Sequence, residues 1–501
     1  MANAKNKQKK DFPIFTVFCI VIGLLLAVGI TLTVLDNTGF SLKRKTVLTV
    51  GDESINALEF NYAYVTMYNN ASTYLSYFGV DTKTDGWENG QANASAASLL
   101  GITVSEGDTW KQAFANAAAE SLKTELALYQ LAKADENYTI DYDTINKSID
   151  NKIDTDTATA SNYKVDLKTL YSSSYGKGFN ESTMRHMLEY SYVANAYQTN
   201  YKDGLNYDDA ALEKYYGENK STYDVYSFLA LDFAYETPKS DDDSSSDSKT
   251  TEASEAEKKA KADAEAYVEA NKESEEVFTK GNEKVVKSEK KTSSEASSLV
   301  GSDGQKWLTD SERKAGDTTV VKGTDKYIAL YYIGSERDEY KLANIRIIRL
   351  DPTVADKDKG ATDEELKALK EKAESVLAAL DKDPTEDNFK ELASKNSADS
   401  STSSNGGLYE DFAKTTAKGY SSELAEWVFA GDRVKGEYKM FEGSKKYYIV
   451  YYLSSGEIFW KKSAESNLRS TDTNNWTEKC VEGFKDRTEY DSAKAFEIIG
   501  G

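Results

Sequence analysis

The chain is short of three things: cysteine, histidine and positive charge. It has two cysteines, Cys19 and Cys480, one histidine, His186, and 62 Lys and Arg against 84 Asp and Glu, a net charge of −22 over 501 residues. Cys19 sits in an apolar run and cannot pair with Cys480 within one chain. No disulfide framework therefore holds the fold, which must rest on buried apolar surface. A single histidine excludes a histidine-rich metal site and leaves no Cys/His nucleophile arrangement, so neither metal nor cofactor is expected. The acidic excess repels phosphate backbones, which removes nucleic acid from the expected partners. It also keeps the soluble part of the chain dispersed.

What is present begins with Phe12 to Leu35, 24 residues without a charge. That length crosses a bilayer as a helix. Lys5, Lys7, Lys9 and Lys10 precede it, as a cytoplasmic flank would require, although Lys43, Arg44 and Lys45 follow on the other side. A cleaved signal peptide is the rival, with Ala27 and Gly29 as small residues near a cleavage site. The run is longer than a signal core, which favours an uncleaved anchor. Phe18 before Cys19 does not suit a lipid-modified cysteine. The expectation is a basic cytoplasmic tail (1–11), a membrane anchor (12–35) and an extracytoplasmic remainder at the cell membrane.

The distal half contains an internal echo. Trp307, Arg313, Gly316, Gly323, Tyr327, Tyr331 and Tyr332 recur as Trp427, Arg433, Gly436, Gly443, Tyr447, Tyr451 and Tyr452, each exactly 120 positions on. A repeat of that length is a whole domain, well above solenoid units. Before it, Val47–Val50 reads as a strand, Gly51–Ser54 as a turn and Ile55 onward as helix. Phe114, Ala118, Leu122, Leu126 and Tyr129 share one helix face. Met184, Leu188, Val193 and Tyr197 mark another, with Ser182 as its cap. Residues 46–222 are thus expected to be a helical domain.

Two α+β domains follow, at 223–337 and 340–456, with 457–501 as a tail that can return to the helical domain. The first carries a strand at Tyr226–Phe233 and a helix at Ala253–Ala270. An acidic Ser/Asp/Lys-rich loop over 238–262 interrupts it, too polar to order itself. Its Asp241–Asp243 lack the spaced ligands and glycine of a calcium loop. The second runs from a strand at Ala343–Leu350 through a helix capped by Thr362 and Glu365, with Leu366, Leu369, Ala373, Val376 and Leu380 on one face. A further helix starts near Thr385, Gly406–Gly407 forces a turn, Leu424, Trp427 and Val428 make a short helix, and Tyr447–Leu453 closes the sheet.

The segment Leu392-Ala393-Ser394, Asn396-Ser397-Ala398-Asp399-Ser400, Asn405-Gly406-Gly407 and Phe412 resembles the parvulin (PpiC-like) family of peptidyl-prolyl isomerases. Glu213-Lys214-Tyr215-Tyr216, Glu218-Asn219-Lys220 and Tyr223 are similar to the lead-in of parvulin domains in bacterial foldases of the PrsA and SurA type. Leu48-Thr49-Val50-Gly51-Asp52, Ile55 and Glu59-Phe60 resemble the start of the helical chaperone domain of those proteins. The resemblance implies an anchored extracytoplasmic folding factor with unfolded or secreted polypeptides as partners and nominal prolyl isomerase activity.

It also implies site residues. The family's acidic position falls on Asp399. Its two histidine positions fall on Arg346 and Tyr448 in the second copy, near Leu229 and on Ile328 in the first, and none is histidine. Arg346 would then pair with Asp399 and hold it ionised. Phe412, Trp427 and Phe429 would wall the prolyl pocket, or equally build a small core. Amide rotation needs no nucleophile; a dry pocket that favours the twisted amide lowers the barrier by differential binding. Without the histidines, weak or absent isomerase activity is the expectation. The alternative is a non-catalytic extracellular scaffold or adhesion protein on a disused parvulin frame.

Overall fold

The computed structural model describes residues 38–236, 255–355 and 360–499. The apolar run 12–35 and most of the acidic stretch lie outside the described residues, as do Asp241–Asp243. No helix among the described residues is long and apolar enough to cross a membrane. The chain is a mixed α+β protein of two compact units. One joins the residues up to Asn206 with those from Arg469 onward, and the other is Tyr207–Leu468. Residues 207–222 and 457–468 therefore belong with the second unit, not with the helical domain and tail as expected.

In the first unit β1 (Thr46–Val50) turns at Gly51–Asp52 into β2 (Glu53–Asn56), and helix α1 (Ala57–Leu75) follows. The expected turn through Ser54 is thus a hairpin strand. The helix begins two residues later than Ile55 because Asn56 caps it, its side chain accepting from the Leu58 and Glu59 amides. Then come α2 (Trp110–Ala134), α3 (Tyr142–Asn162), α4 (Leu167–Tyr175) and α5 (Glu181–Gly204). Phe114, Ala118, Leu122, Leu126 and Tyr129 are all buried, so the periodicity located the core face of α2. The cap of α5 is Asn180, which accepts from the Thr183 amide. Ser182 lies inside the helix.

The second unit starts with α6 (Asp209–Glu218) and holds two four-stranded antiparallel sheets. The first contains β3 (Asp224–Ala234), α7 (Glu255–Asn271), α8 (Glu275–Thr279), β4 (Val286–Thr292), α9 (Ser293–Leu308), β5 (Thr318–Lys322) and β6 (Lys326–Arg337). The last eight residues of the acidic stretch, 255–262, are helical in α7 rather than loop. The second contains β7 (Lys341–Leu350), α10 (Asp363–Lys382), α11 (Glu386–Asn396), β8 (Leu408–Phe412), α12 (Lys414–Tyr420), α13 (Ser422–Val428), β9 (Tyr438–Gly443) and β10 (Lys446–Ile458). The orders are β4-β3-β6-β5 and β8-β7-β10-β9, the same arrangement twice.

The repeated residues build the same corner in each sheet. Arg313 lies over the Trp307 ring at 4.2 Å and Arg433 over Trp427 at 5.1 Å. Gly316 and Gly436 have φ of +94° and +95°, and their amides donate to Tyr332 O and Tyr452 O at 2.9 and 3.0 Å. The echo is thus structural at its Trp, Arg, first Gly and last Tyr positions.

Helix α14 (Phe459–Glu482) ends the second unit and continues into the first. Trp460 and Ala464 pack with Leu212 and Tyr223 in the second unit. In the first unit Trp476 stacks on Tyr201 at 4.2 Å, and β11 (Thr488–Tyr490) pairs antiparallel with β1. Helix α15 (Ser492–Ile499) follows, with Ala495 fully buried.

Candidate functional site

The second sheet buries a different cluster on each face because side chains alternate along a strand. Leu369, Ala373, Val376, Leu380, Phe389 and Ala393 of α10 and α11 cover one face with Ile348 and Leu350. On the other, α12 and α13 pack Ala417, Leu424, Ala425 and Val428 against Ile345, Ile347, Phe412, Phe441, Tyr448 and Val450. The candidate site lies on this second face, where the loop after α11 brings Asp399 to the sheet.

That loop is tied to β7. Ala398 N donates to Arg349 O at 2.7 Å, and Arg349 Nη2 donates to Ala398 O at 2.7 Å. Ser397 Oγ accepts from the Arg349 amide at 3.2 Å. The turn at Gly406 and Gly407 has φ of +72° and +74°, and a Cβ on Gly407 would come within 2.4 Å of Ile347 O. Glycine is required there because the turn passes directly over the strand. Ile347 N donates to Gly407 O at 2.8 Å, fixing the approach.

Asp399, 8% exposed, is a hydrogen-bond hub. Its Oδ1 accepts from Ser401 Oγ at 2.6 Å and the Ser401 amide at 3.1 Å; its Oδ2 accepts from Thr402 Oγ1 at 2.9 Å and from the Tyr409 hydroxyl. Burial alone would push the carboxyl up, but the hydrogen bonds from Ser401, Tyr409 and Thr402 outweigh it and hold the pKa at about 2. The chain of hydroxyls continues from Tyr409 to Tyr420 at 3.0 Å, and the Tyr420 ring meets Tyr448 edge-on at 5.0 Å. Burial raises the Tyr409 and Tyr448 phenols, with the Asp399 carboxylate adding to the effect on Tyr409. The cluster thus holds a fixed carboxylate and neutral phenols, with no imidazole.

The site residues expected from sequence divide. Asp399, Tyr448 and Phe412 share the α12/α13 face. Arg346 does not. It lies on the α10/α11 face, where Nε and Nη2 each donate to Glu386 Oε1 at 3.1 Å, and Nη1 donates to the Asn405 and Gly406 carbonyls at 2.9 and 3.0 Å. The expected Arg346–Asp399 pair does not form; hydroxyls hold Asp399 instead. A one-residue displacement along a strand moves a side chain to the opposite face. The β7 residues on the Tyr448 face are Ala343, Ile345 and Ile347, with a register shift between Ala343 and Ile345. In the first sheet the equivalent displacement applies: Phe228 pairs with Tyr332 as Ile345 pairs with Tyr452, so Phe228 and not Leu229 shares a face with Ile328.

Phe412 and Tyr448 are 3% and 6% exposed, and both pack on Tyr420 rather than facing solvent. Phe412 packs edge-on against Tyr409 and Tyr420 at 5.4 and 5.8 Å. Trp427 lies between Arg433 and Phe441, the latter at 5.6 Å. Phe429 packs edge-on against Tyr340 at 5.5 Å, beside an open cavity of about 290 Å³ that Val428 and Tyr452 also line. Trp427 and Phe429 therefore flank the Asp399 cluster without entering it. Ser401, Thr402, Tyr409, Tyr420 and Ile345 escaped the sequence reading. Only the proximity of Ser401 and Thr402 to Asp399 gave a local signal. Among the described residues, no three His, Cys, Asp or Glu side chains are grouped to hold a metal ion.

No curated protein sequence matches the chain. Among solved structures it is similar to a peptidylprolyl isomerase (PrsA) from Bacillus anthracis, at 18% identity over 30% of this chain and 61% of that one, with a TM-score of 0.17. It is also similar to the foldase protein PrsA from Streptococcus pneumoniae, at 12% identity over 76% of this chain and 90% of that one, with a TM-score of 0.26. The chain thus spans about three fifths of the first of these. Residues 328–454, which enclose the Asp399 cluster and the second sheet from β7 to the core of β10, match the family model of the PPIC-type PPIase domain.

Proposed function

We propose that the chain is a membrane-anchored, extracytoplasmic foldase that holds non-native secreted polypeptides and has weak or no prolyl isomerase chemistry. The observation that carries this reading is a PPIC-type domain whose central polar group is locked. Asp399 is engaged by three hydroxyls, and Ile345, Ile347 and Tyr448 belong to the apolar cluster on that face of the sheet. A carboxylate held at about 2 neither donates nor takes a proton near neutrality. Apolar and phenolic walls still favour a desolvated peptide segment.

The first sheet is, on this reading, a degenerate second copy of the domain. The shared strand order and the 120-residue echo support that. The helical unit is its chaperone-like partner, and 12–35 the anchor. The decisive experiment follows proline-limited refolding and aggregation of an unfolded client in the presence of the full chain in detergent. Suppressed aggregation with an unchanged proline-limited phase is expected. Acceleration of that phase by about tenfold or more would refute the loss of chemistry. Absence of both effects would favour a scaffold. Protease accessibility of the acidic stretch from the outer side of intact cells tests the orientation.

A further inference from the structure

Between α1, α2 and α5 of the helical unit lies a cavity of about 190 Å³. Tyr62, Met67, Leu122 and Met187 give it apolar walls, and Glu125 puts a carboxyl on its lining. That carboxyl is unusual among its neighbours. Glu53 accepts from the Tyr190 hydroxyl at 2.7 Å, Glu59 pairs with His186 at 3.1 Å, Asp156 with Lys152 at 2.5 Å, and Glu189 accepts from Tyr129 at 3.1 Å. Glu125 has one long contact, Ser121 Oγ at 3.3 Å, and no cation beside it among the described residues. Burial pushes its pKa up to about 7, against the pull of the Ser121 hydrogen bond. A half-buried carboxyl left this way costs stability, and among the described residues only the Ser121 hydrogen bond offsets it.

We propose that this cavity is a binding site for an alkylammonium group, supplied as the lysine side chain of a bound polypeptide. An ammonium head pairs with Glu125 and Ser121 while its methylene stem lies along Met67, Leu122 and Met187. Lysine buries its stem in this way while keeping its charge paired, and methionine adapts to an irregular guest. A purely apolar guest leaves the carboxyl unpaired, and one carboxyl is too few for a metal ion. The polypeptide source rests on the foldase reading above; the ammonium chemistry of the cavity does not.

The test uses the methionine methyl resonances of the full chain in detergent at pH 8, with Met440 of the other unit as reference. Titration with n-butylammonium is expected to shift Met67 and Met187 saturably, while n-butanol at equal concentration does not. Glu125→Gln is expected to weaken the n-butylammonium midpoint by about tenfold or more, the loss of one charge-assisted contact. No shift with n-butylammonium, an equal response to n-butanol, or an unchanged midpoint in Glu125→Gln overturns the site. An unfolded peptide carrying one lysine should reproduce the shifts, and its norleucine counterpart should not. If n-butylammonium binds and both peptides fail alike, the polypeptide source is overturned and a free amine is the ligand. Shifts that persist where the refolding assay shows no holding activity sink the foldase reading and leave the ammonium site standing.

Discussion

Replacing Asp399 with asparagine keeps the shape of the side chain and removes its charge. In the native chain the carboxylate accepts from Ser401 Oγ at 2.6 Å, the Ser401 amide at 3.1 Å, Thr402 Oγ1 at 2.9 Å and the Tyr409 hydroxyl. The fall from the ordinary 3.8 to about 2, at about 1.4 kcal/mol per pKa unit, corresponds to about 2 kcal/mol of native-state preference for the ionised form. Because the folded value is the lower one, this stability is fully present above pH 4 and is lost as pH falls through 2. Asp399→Asn should therefore cost about 2 kcal/mol at pH 7, and Asp399→Ala about 3 kcal/mol, since it also strands the Tyr409 and Thr402 hydroxyls. Urea unfolding followed by near-ultraviolet circular dichroism resolves this, with the transition of the helical unit as internal reference. The gap between wild type and Asp399→Asn should narrow between pH 4.5 and 2.5. A gap below about 0.5 kcal/mol at pH 7, or one that stays constant into acid, would refute the role given to the hydroxyls.

Three further outcomes follow from the same geometry. Gly407→Ala forces a Cβ to within 2.4 Å of Ile347 O at a φ of +74°, so the second sheet should lose about 3 kcal/mol in the same urea assay, while Gly419→Ala, with open space around it, should cost under about 0.5 kcal/mol. Glu386→Gln keeps an acceptor for the Arg346 guanidinium, 8% exposed, but removes the charge that pairs it; about 2 kcal/mol should be lost, less than for a fully buried pair because Glu386 is 24% exposed. His186 has its pKa raised above 6.5, chiefly by its hydrogen bond to Glu59. Its contribution is present below pH 6.5 and disappears as pH rises through the raised value, so His186→Gln should flatten the stability of the helical unit across that window, and an unchanged slope would count against the pair.

The helical face of α2, the Thr362–Glu365 capping box and the glycine turn were legible because each is written within a few residues. Thr362 and Glu365 are three apart and form both bonds of the box. The 120-residue echo was legible for the same reason, as its Trp/Arg/Gly corner is a local motif repeated. Strand β8 was missed because Leu408–Phe412 becomes a strand by pairing with residues near 343–346, more than sixty positions away. The strand β2 hid behind turn-forming residues, and a single-residue ambiguity put Arg346 on the sheet face that its neighbours Ile345 and Ile347 take. The hydrophobic pattern of β7, apolar at 345, 347 and 348, does not reveal which face Arg346 takes.

The sequence by itself determined the composition of the protein's chemistry: no histidine at the second sheet, one candidate acid, no cation excess, a long uncharged run and a 120-residue echo in the distal part. Those are properties of residue type and spacing, which folding cannot alter. Only the tertiary structure decided how Asp399 is used. Its partners Ser401 and Thr402 are near in sequence, but Tyr409 reaches it because β8 docks on β7, and Tyr420 and Tyr448 join through α12 and β10. The same packing turned Arg346 away to Glu386. Alternation along a strand sends neighbours to opposite faces, so which side chains meet is settled by register.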